Sequence, residues 1–283
     1  MEIKKVGVIG CGTMGAGIAQ LCAQSGHQVV VSEINSELLN KGLASIDKAL
    51  ARSVEKEKIS QQDKDATLGR IKGTTNTKDF SDCDLVIEAA IENMDLKKKV
   101  FAELDKICPK HAILSTNTSV LSIIDMAVVT KRPEKVLGLH FFNPAPVMRL
   151  LEIVKTIATS DETVEICKKF GKSLGKTTVI APDKPGFIVN RLWIPYMLHA
   201  IRLLEEGVAS REDIDNAVMM GLNYPMGPLT LADFSGLDIL LFATNAVYER
   251  LKDPRYIAPT LLEKMVAAGW LGRKTGKGFY DYK

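Results

Sequence analysis

The sequence predicts an open α/β sheet followed by an all-α domain. Three observations lead there. The first thirty-odd residues read as strand, glycine turn, helix and strand; short apolar runs rich in β-branched residues then alternate with helical stretches as far as Asp183; and no clear strand follows Asp183-Lys184-Pro185-Gly186. The boundary therefore falls between residues 184 and 185, giving domains at 1–184 and 185–283.

KKVGVIG is a short apolar run that reads as a buried strand, and it leads directly into Gly10-Cys11-Gly12-Thr13-Met14-Gly15 and the helix-like AGIAQLCAQSG. Gly10 permits the tight turn. Gly12 has no side chain to block a pyrophosphate approaching the helix N-terminus, and Gly15 lets helix and strand pack closely. The second strand, HQVVVSE, ends on Glu33, which is placed to accept hydrogen bonds from adenosine ribose hydroxyls and to repel a 2′-phosphate. No Arg or Lys occurs among Ile34, Asn35 and Ser36, so NAD is favoured over NADP. A glycine fingerprint alone is weak; one set between a strand and a helix, with an acid ending the next strand, is specific. The first domain thus reads as a Rossmann-like dinucleotide-binding domain, with Gly10, Gly12, Met14, Gly15 and Glu33 at the cofactor.

Residues 36–72 read as a polar helical insertion. Leu39, Leu43, Ile46, Leu50 and Val54 fall on one helix face, and Lys48, Arg52 and Lys56 on another. The basic row is either a solvated surface or a clamp for an anionic ligand tail. CDLVIEAAIEN is the next buried strand, followed by the amphipathic helix DLKKKVFAELDKI. HAILSTNTS, VLGLHFF, LLEIV and TTVIAPD are further strands, with the helix DETVEICKKFGKSLG before the last. In such a sheet ligands collect beyond the carboxyl ends of the strands.

The second domain reads as helices throughout. FIVNRLWIPYMLHAIRLLEEG is long and apolar, with Pro195 as a kink and Gly207 as its stop; Ser210 to Asp213 forms a capping box; DFSGLDILLFATNAVYERL and PTLLEKMVAAG are two more helices. Much of its apolar surface is expected to meet a partner subunit.

The formal charge is +3, from 37 basic and 34 acidic residues, which does not suggest nucleic-acid binding. Five scattered cysteines without a CxxC fit neither a disulfide framework nor a zinc site, so no metal is expected and a reducing compartment is. With a strand beginning within a few residues of Met1 and no long uncharged apolar run, the reading is a cytoplasmic protein without a membrane partner.

Oxidising an alcohol with a pyridine nucleotide needs a base for the hydroxyl proton while hydride leaves the same carbon. Of four histidines, His27 precedes the second strand, His111 begins a strand, and His199 lies mid-helix among apolar residues. Only His140 falls at the carboxyl end of a strand. In GLHFFNPAPVMRLLEIV, an Asn-Pro turn separates it from Glu152, an acid set in an apolar strand, and a hairpin-like return would bring the two into contact. Such a carboxylate holds one ring nitrogen and stabilises the imidazolium, making a catalytic dyad; the alternative is a structural ion pair. Ser115-Thr116-Asn117-Thr118-Ser119 ends a strand in the same crevice, as ligand-binding hydroxyls and amides or as a simple polar turn.

Across nearly the whole chain, these motifs together with STNTSVLSI, DKPGFIVNRL and NYPMGPLTLAD resemble the L-3-hydroxyacyl-CoA dehydrogenase family, in length closest to its bacterial 3-hydroxybutyryl-CoA members. The resemblance implies reversible NAD-dependent oxidation of (S)-3-hydroxybutyryl-CoA to acetoacetyl-CoA, in butanoate and fatty acid metabolism. It implies His140 as general base, Glu152 as its orienting carboxylate, Ser119 on the substrate's 3-oxygen and Asn190 beside the acyl thioester. It also implies cofactor contacts from Glu92, Lys97, Asn117, Asn143 and Lys277, and a homodimer through the helical domain. CoA carries several phosphates, and Arg52 with Lys56 is the nearest thing to a clamp for them. The competing readings are a gulonate-type dehydrogenase of a CoA-free hydroxy acid and a non-catalytic, crystallin-like dinucleotide-binding protein.

Overall fold

The computed structural model describes residues 1–282 and divides into two compact units, one spanning Met1–Lys184 and the other beginning at Pro185. The first holds β1 (Lys5–Ile9), α1 (Thr13–Gln24), β2 (Gln28–Ser32), α2 (Ser36–Glu55), α3 (Gln61–Gly69), β3 (Ile71–Thr74), β4 (Leu85–Glu88), α4 (Met94–Ile107), β5 (Ile113–Thr116), α5 (Ile124–Ala127), β6 (Val136–Phe141), β7 (Leu150–Lys155), α6 (Asp161–Ser173) and β8 (Thr177–Pro182). All eight strands form one sheet, in the order β3-β2-β1-β4-β5-β6-β7-β8. Neighbours run parallel except β6 and β7, which pair antiparallel. Consequently the start of β7 lies level with the carboxyl ends of β1 to β6.

A parallel sheet covered by helices on both faces buries every side chain of its central strands, which is why they are runs of Val, Leu and Ile rather than alternating patterns. Val29, Val30 and Val31 are buried, as are Leu85, Val86 and Ile87. One contiguous core joins these strands to α1, α2 and α6 through Ile18, Leu21, Leu39, Ile46, Leu50, Val164 and Phe170.

The stretch expected to be helical, 36–72, differs in two ways. It breaks into α2 and α3, and its last residues join β3, an edge strand paired with β2 from Val29↔Ile71 to Ser32↔Thr74. IKGT has no apolar alternation of its own; pairing with β2 makes it a strand. The break is set by a complete capping box at α3, where Ser60 Oγ accepts from the Asp63 N–H and Asp63 accepts from the Ser60 N–H. The strand read through CDLVIEAAIEN is likewise confined to β4, and its remainder forms the turn into α4.

The second unit comprises α7 (Val189–Glu205), α8 (Arg211–Gly221), α9 (Pro228–Ser235), α10 (Leu237–Leu251) and α11 (Thr260–Ala267). Gly207, at φ +70°, terminates α7 as expected, with its N–H on the Leu204 carbonyl. At α8 Ser210 accepts from the Asp213 N–H, but the Asp213 carboxylate takes the Ser210 hydroxyl, so only half of the expected box forms. DFSGLDILLFATNAVYERL is not one helix: Gly236, at φ +97°, ends α9 and begins α10, and the two bend by 94°. The tail after α11 is held by Asp233, which accepts from the Phe279 and Tyr280 N–H groups and the Tyr282 hydroxyl. Among the described residues no single helix is long and apolar enough to cross a membrane.

Candidate active site

The glycine turn joins β1 to α1 at the point where the sheet order departs in two directions, β2 on one side and β4 on the other. Gly10 takes φ +90°, and a side chain at Gly15 would begin 1.8 Å from the Gly10 carbonyl oxygen. At Gly12, in contrast, an added Cβ would meet nothing within 4 Å. Gly12 is also the N-cap of α1 and supplies no side-chain cap, and no acid stands in the first turn. The positive end of the helix therefore opens onto unfilled space, which suits a pyrophosphate. Glu33, just past β2, is fixed beside this turn: Oε2 accepts from the Cys11 N–H at 2.9 Å and Oε1 from the Ile34 N–H at 2.9 Å. Met14, in the first turn of α1, packs against the core.

His140 and Glu152 face each other across the antiparallel β6–β7 pair. His140 Nδ1 lies 2.6 Å from Glu152 Oε2, with the histidine 4 % and the glutamate 0 % exposed. An ionised carboxylate only accepts, so Nδ1 carries the proton and the Nε2 lone pair points the other way in the neutral ring. There Ser119 Oγ lies at 3.1 Å. Phe142 covers the imidazole, with ring centroids 4.5 Å apart.

Asn117 follows β5 directly; its Oδ1 accepts from the Phe141 N–H, tying that loop to the end of β6. Asn143, the second residue of the β6–β7 connection, makes a cis bond to Pro144. Glu92 Oε1 accepts from the Thr118 hydroxyl and from the Ser119 N–H, both at 2.9 Å. Lys97 is 1 % exposed, and its ammonium donates to both oxygens of Glu88, at 2.7 and 2.9 Å. Glu88 was not among the residues singled out from sequence, although the signal existed. It is an acid closing an apolar strand, LVIE, much as Glu33 closes HQVVVSE.

Of the remaining expected residues in the first unit, Arg52 and Lys56 are exposed near the C-terminal end of α2, without an ion-pair partner among the described residues. Within the second unit, Asn190 lies in the first turn of α7, and the Lys277 ammonium stacks 4.0 Å above the Trp270 ring.

The comparisons agree with this geometry. Residues 5–184 match the family model for the 3-hydroxyacyl-CoA dehydrogenase NAD binding domain, and residues 186–282 match that for the C-terminal domain. A 3-hydroxybutyryl-CoA dehydrogenase of Bradyrhizobium diazoefficiens is 46 % identical over 99 % of this chain and 96 % of its own. The solved (S)-3-hydroxybutyryl-CoA dehydrogenase of Ralstonia eutropha superimposes with a TM-score of 0.95 at 45 % identity, covering all of both chains. A solved diketoreductase, described as acting on dicarbonyl compounds, gives 0.89 at 31 % identity, also over all of both chains. With both units matched and relatives aligned from end to end, the chain belongs to the 3-hydroxyacyl-CoA dehydrogenase family and carries that family's NAD-binding domain.

Proposed function

We propose that this dehydrogenase interconverts (S)-3-hydroxybutyryl-CoA and acetoacetyl-CoA. The observation that carries the reading is the hydrogen-bonded series Glu152–His140–Ser119, in the same unit as an NAD-binding glycine turn. When bound, NAD supplies the hydride acceptor. His140 Nε2 takes the substrate's hydroxyl proton as hydride departs from the same carbon, and Glu152 stabilises the resulting imidazolium. Ser119 Oγ donates to the 3-oxygen while alkoxide-like charge builds there. In the reductive direction His140 returns the proton.

In this reading Gly12 leaves room for the pyrophosphate, Glu33 takes the adenosine ribose, and Glu92, Asn117 and Asn143 serve the nicotinamide end. Lys97, which is ion-paired to Glu88, and Lys277, which stands over Trp270, complete the proposed cofactor contacts. Asn190 is proposed as a ligand of the acyl thioester, and Arg52 with Lys56 as a clamp for CoA phosphates. The domain roles follow: residues 1–184 hold the cofactor, and the helical unit from 185 serves substrate and dimerisation. A homodimer through that unit is supported by its exposed Met220, Leu222, Phe234 and Phe242. A cytoplasmic location completes the proposal and is supported by five free, unpaired cysteines.

Similarity to the diketoreductase favours one rival, reduction of a CoA-free dicarbonyl. Mixing protein and NADH with acetoacetyl-CoA or with a simple acetoacetate ester, and following nicotinamide absorbance, decides between them. The proposal expects fast turnover of the thioester and slow turnover of the ester. Neutralising Arg52 and Lys56 should raise KM for the thioester alone; equal rates on both compounds would exclude CoA as the handle.

A further inference from the structure

Lys176 is a buried cation that the chemistry described above does not use. It stands between α6 and β8 and is 6 % exposed. Its ammonium donates to two main-chain carbonyls, those of Ala145 and Met148, each at 2.6 Å. Among the described residues it pairs with no carboxylate, and burial therefore holds it below the usual lysine range. The neighbouring Cys22 thiol on α1, itself pushed up to about 12, keeps its proton and supplies no counter-charge. An apolar side chain would fill the same space without that cost, but it would leave two carbonyls without a donor.

Both carbonyls belong to the β6–β7 connection, residues 142–149, whose first two residues are Phe142 and Asn143. Pro144 and Pro146 have no N–H with which to anchor this loop. Within it, the Val147 and Met148 N–H groups both donate to the Pro144 carbonyl at 3.0 Å, which closes a turn. On one side Ala145 and Pro146 rest against α1, where a Cβ added to Gly17 would come within 3.4 Å of each. On the other, Lys176 grips the turn by its carbonyls with charge-assisted bonds. We infer that Lys176 is a positioning residue for the dehydrogenase reaction: its ammonium fixes this turn and so sets where Phe142 and Asn143 stand relative to His140. Phe142 packs on the imidazole, and Asn143 lies two residues before the gripped Ala145. The inference rests on the function proposed above, in which Asn143 serves the nicotinamide end, and deepens it.

Two variants are compared with the wild type, well below their melting temperatures. Lys176→Met keeps the bulk of the side chain but has no donor, and Lys176→Gln keeps an NH₂ donor without the charge. NADH binding is followed by nicotinamide fluorescence, ADP binding by calorimetry, and turnover by steady-state kinetics. ADP reports on the adenosine end alone. In Lys176→Met the dissociation constant for NADH should rise roughly fivefold or more and kcat should fall roughly tenfold or more, while ADP binds as before. Lys176→Gln should lie between the wild type and Lys176→Met. A merely structural lysine would lower both melting temperatures and leave these constants unchanged, and that result overturns the inference. Equal losses of NADH and ADP affinity overturn it too, since the damage would not be confined to the nicotinamide end. Should Lys176→Met fail to fold, Lys176→Gln decides alone, and wild-type NADH affinity and kcat there overturn it. Failure of the wild type to bind NADH would instead sink the cofactor reading.

Discussion

His140 and Glu152 are direct cross-strand partners, held with Nδ1 2.6 Å from Oε2 because β7 returns antiparallel along β6. A one-residue slip in that register would turn one of the two to the opposite face of the sheet. The register thus carries the chemistry, and the first prediction concerns the pair. Replacing the base, His140→Gln, should lower kcat by roughly 10²–10⁴-fold while the dissociation constant for NADH is unchanged. In Glu152→Gln the amide NH₂ can donate to Nδ1, which moves the ring proton to Nε2 and removes the lone pair that faces Ser119. That variant should lose roughly 10²-fold or more in kcat. Steady-state kinetics check both, and near-normal turnover in either would remove that residue from the mechanism.

Gly12 and Gly15 should respond oppositely to a side chain. At Gly15 the new Cβ starts 1.8 Å from the Gly10 oxygen, so Gly15→Ala should lower the melting temperature. At Gly12 there is room and φ is −72°, so Gly12→Val should melt like the wild type. Its branched side chain fills the space assigned to the pyrophosphate, and NADH affinity should fall by roughly tenfold or more. A Gly12→Val protein that binds NADH normally would place the cofactor elsewhere.

Glu33 sets the preference between the two pyridine nucleotides through its negative charge beside the glycine turn. Glu33→Gln keeps an acceptor for a ribose hydroxyl but removes the repulsion felt by a 2′-phosphate. The ratio of kcat/KM for NADH over NADPH should shrink on the order of tenfold. An unchanged ratio would show that another residue selects.

All five thiols should be inert in the folded protein. Burial pushes Cys22, Cys83 and Cys167 up to about 12 and Cys108 to about 11; Cys11 also reaches about 11, through burial and the neighbouring Glu33 charge. At pH 8 the folded chain then offers almost no thiolate to an alkylating reagent, whereas the unfolded chain, with thiols near about 8.5, offers it readily. The sign for stability follows. As pH rises through about 8.5 the unfolded thiols lose protons first, so the folded state binds more protons and stability falls from there towards pH 11–12. Alkylation counted by mass, with and without denaturant, checks the first statement, and denaturant melts across this range check the second. Rapid labelling of the native protein at pH 8 would refute the burial argument.

Legibility in the sequence followed the range of the forces involved. GCGTMG, HQVVVSE and LLEIV declare themselves because glycine conformational freedom, β-branched runs and an isolated acid are local features. IKGT became β3 only because β2 lay beside it, and the break at Gly236 was hidden because the apolar pattern continues through both α9 and α10. At the site, His140 and Glu152 were paired in advance from a turn and a lone carboxylate. Glu88 was missed although it is a lone acid at the end of an apolar strand, as Glu33 is in HQVVVSE.

By itself, then, the sequence determined the glycine cradle, the strands around it and the pairing of imidazole with carboxylate, since each depends on backbone geometry over a few neighbouring residues. Only tertiary structure decided that Lys97 is buried between Glu88 and Glu92 and ion-paired to both. That outcome depends on how β4, β5 and α4 share a buried space, where three charges compete for the same few hydrogen bonds.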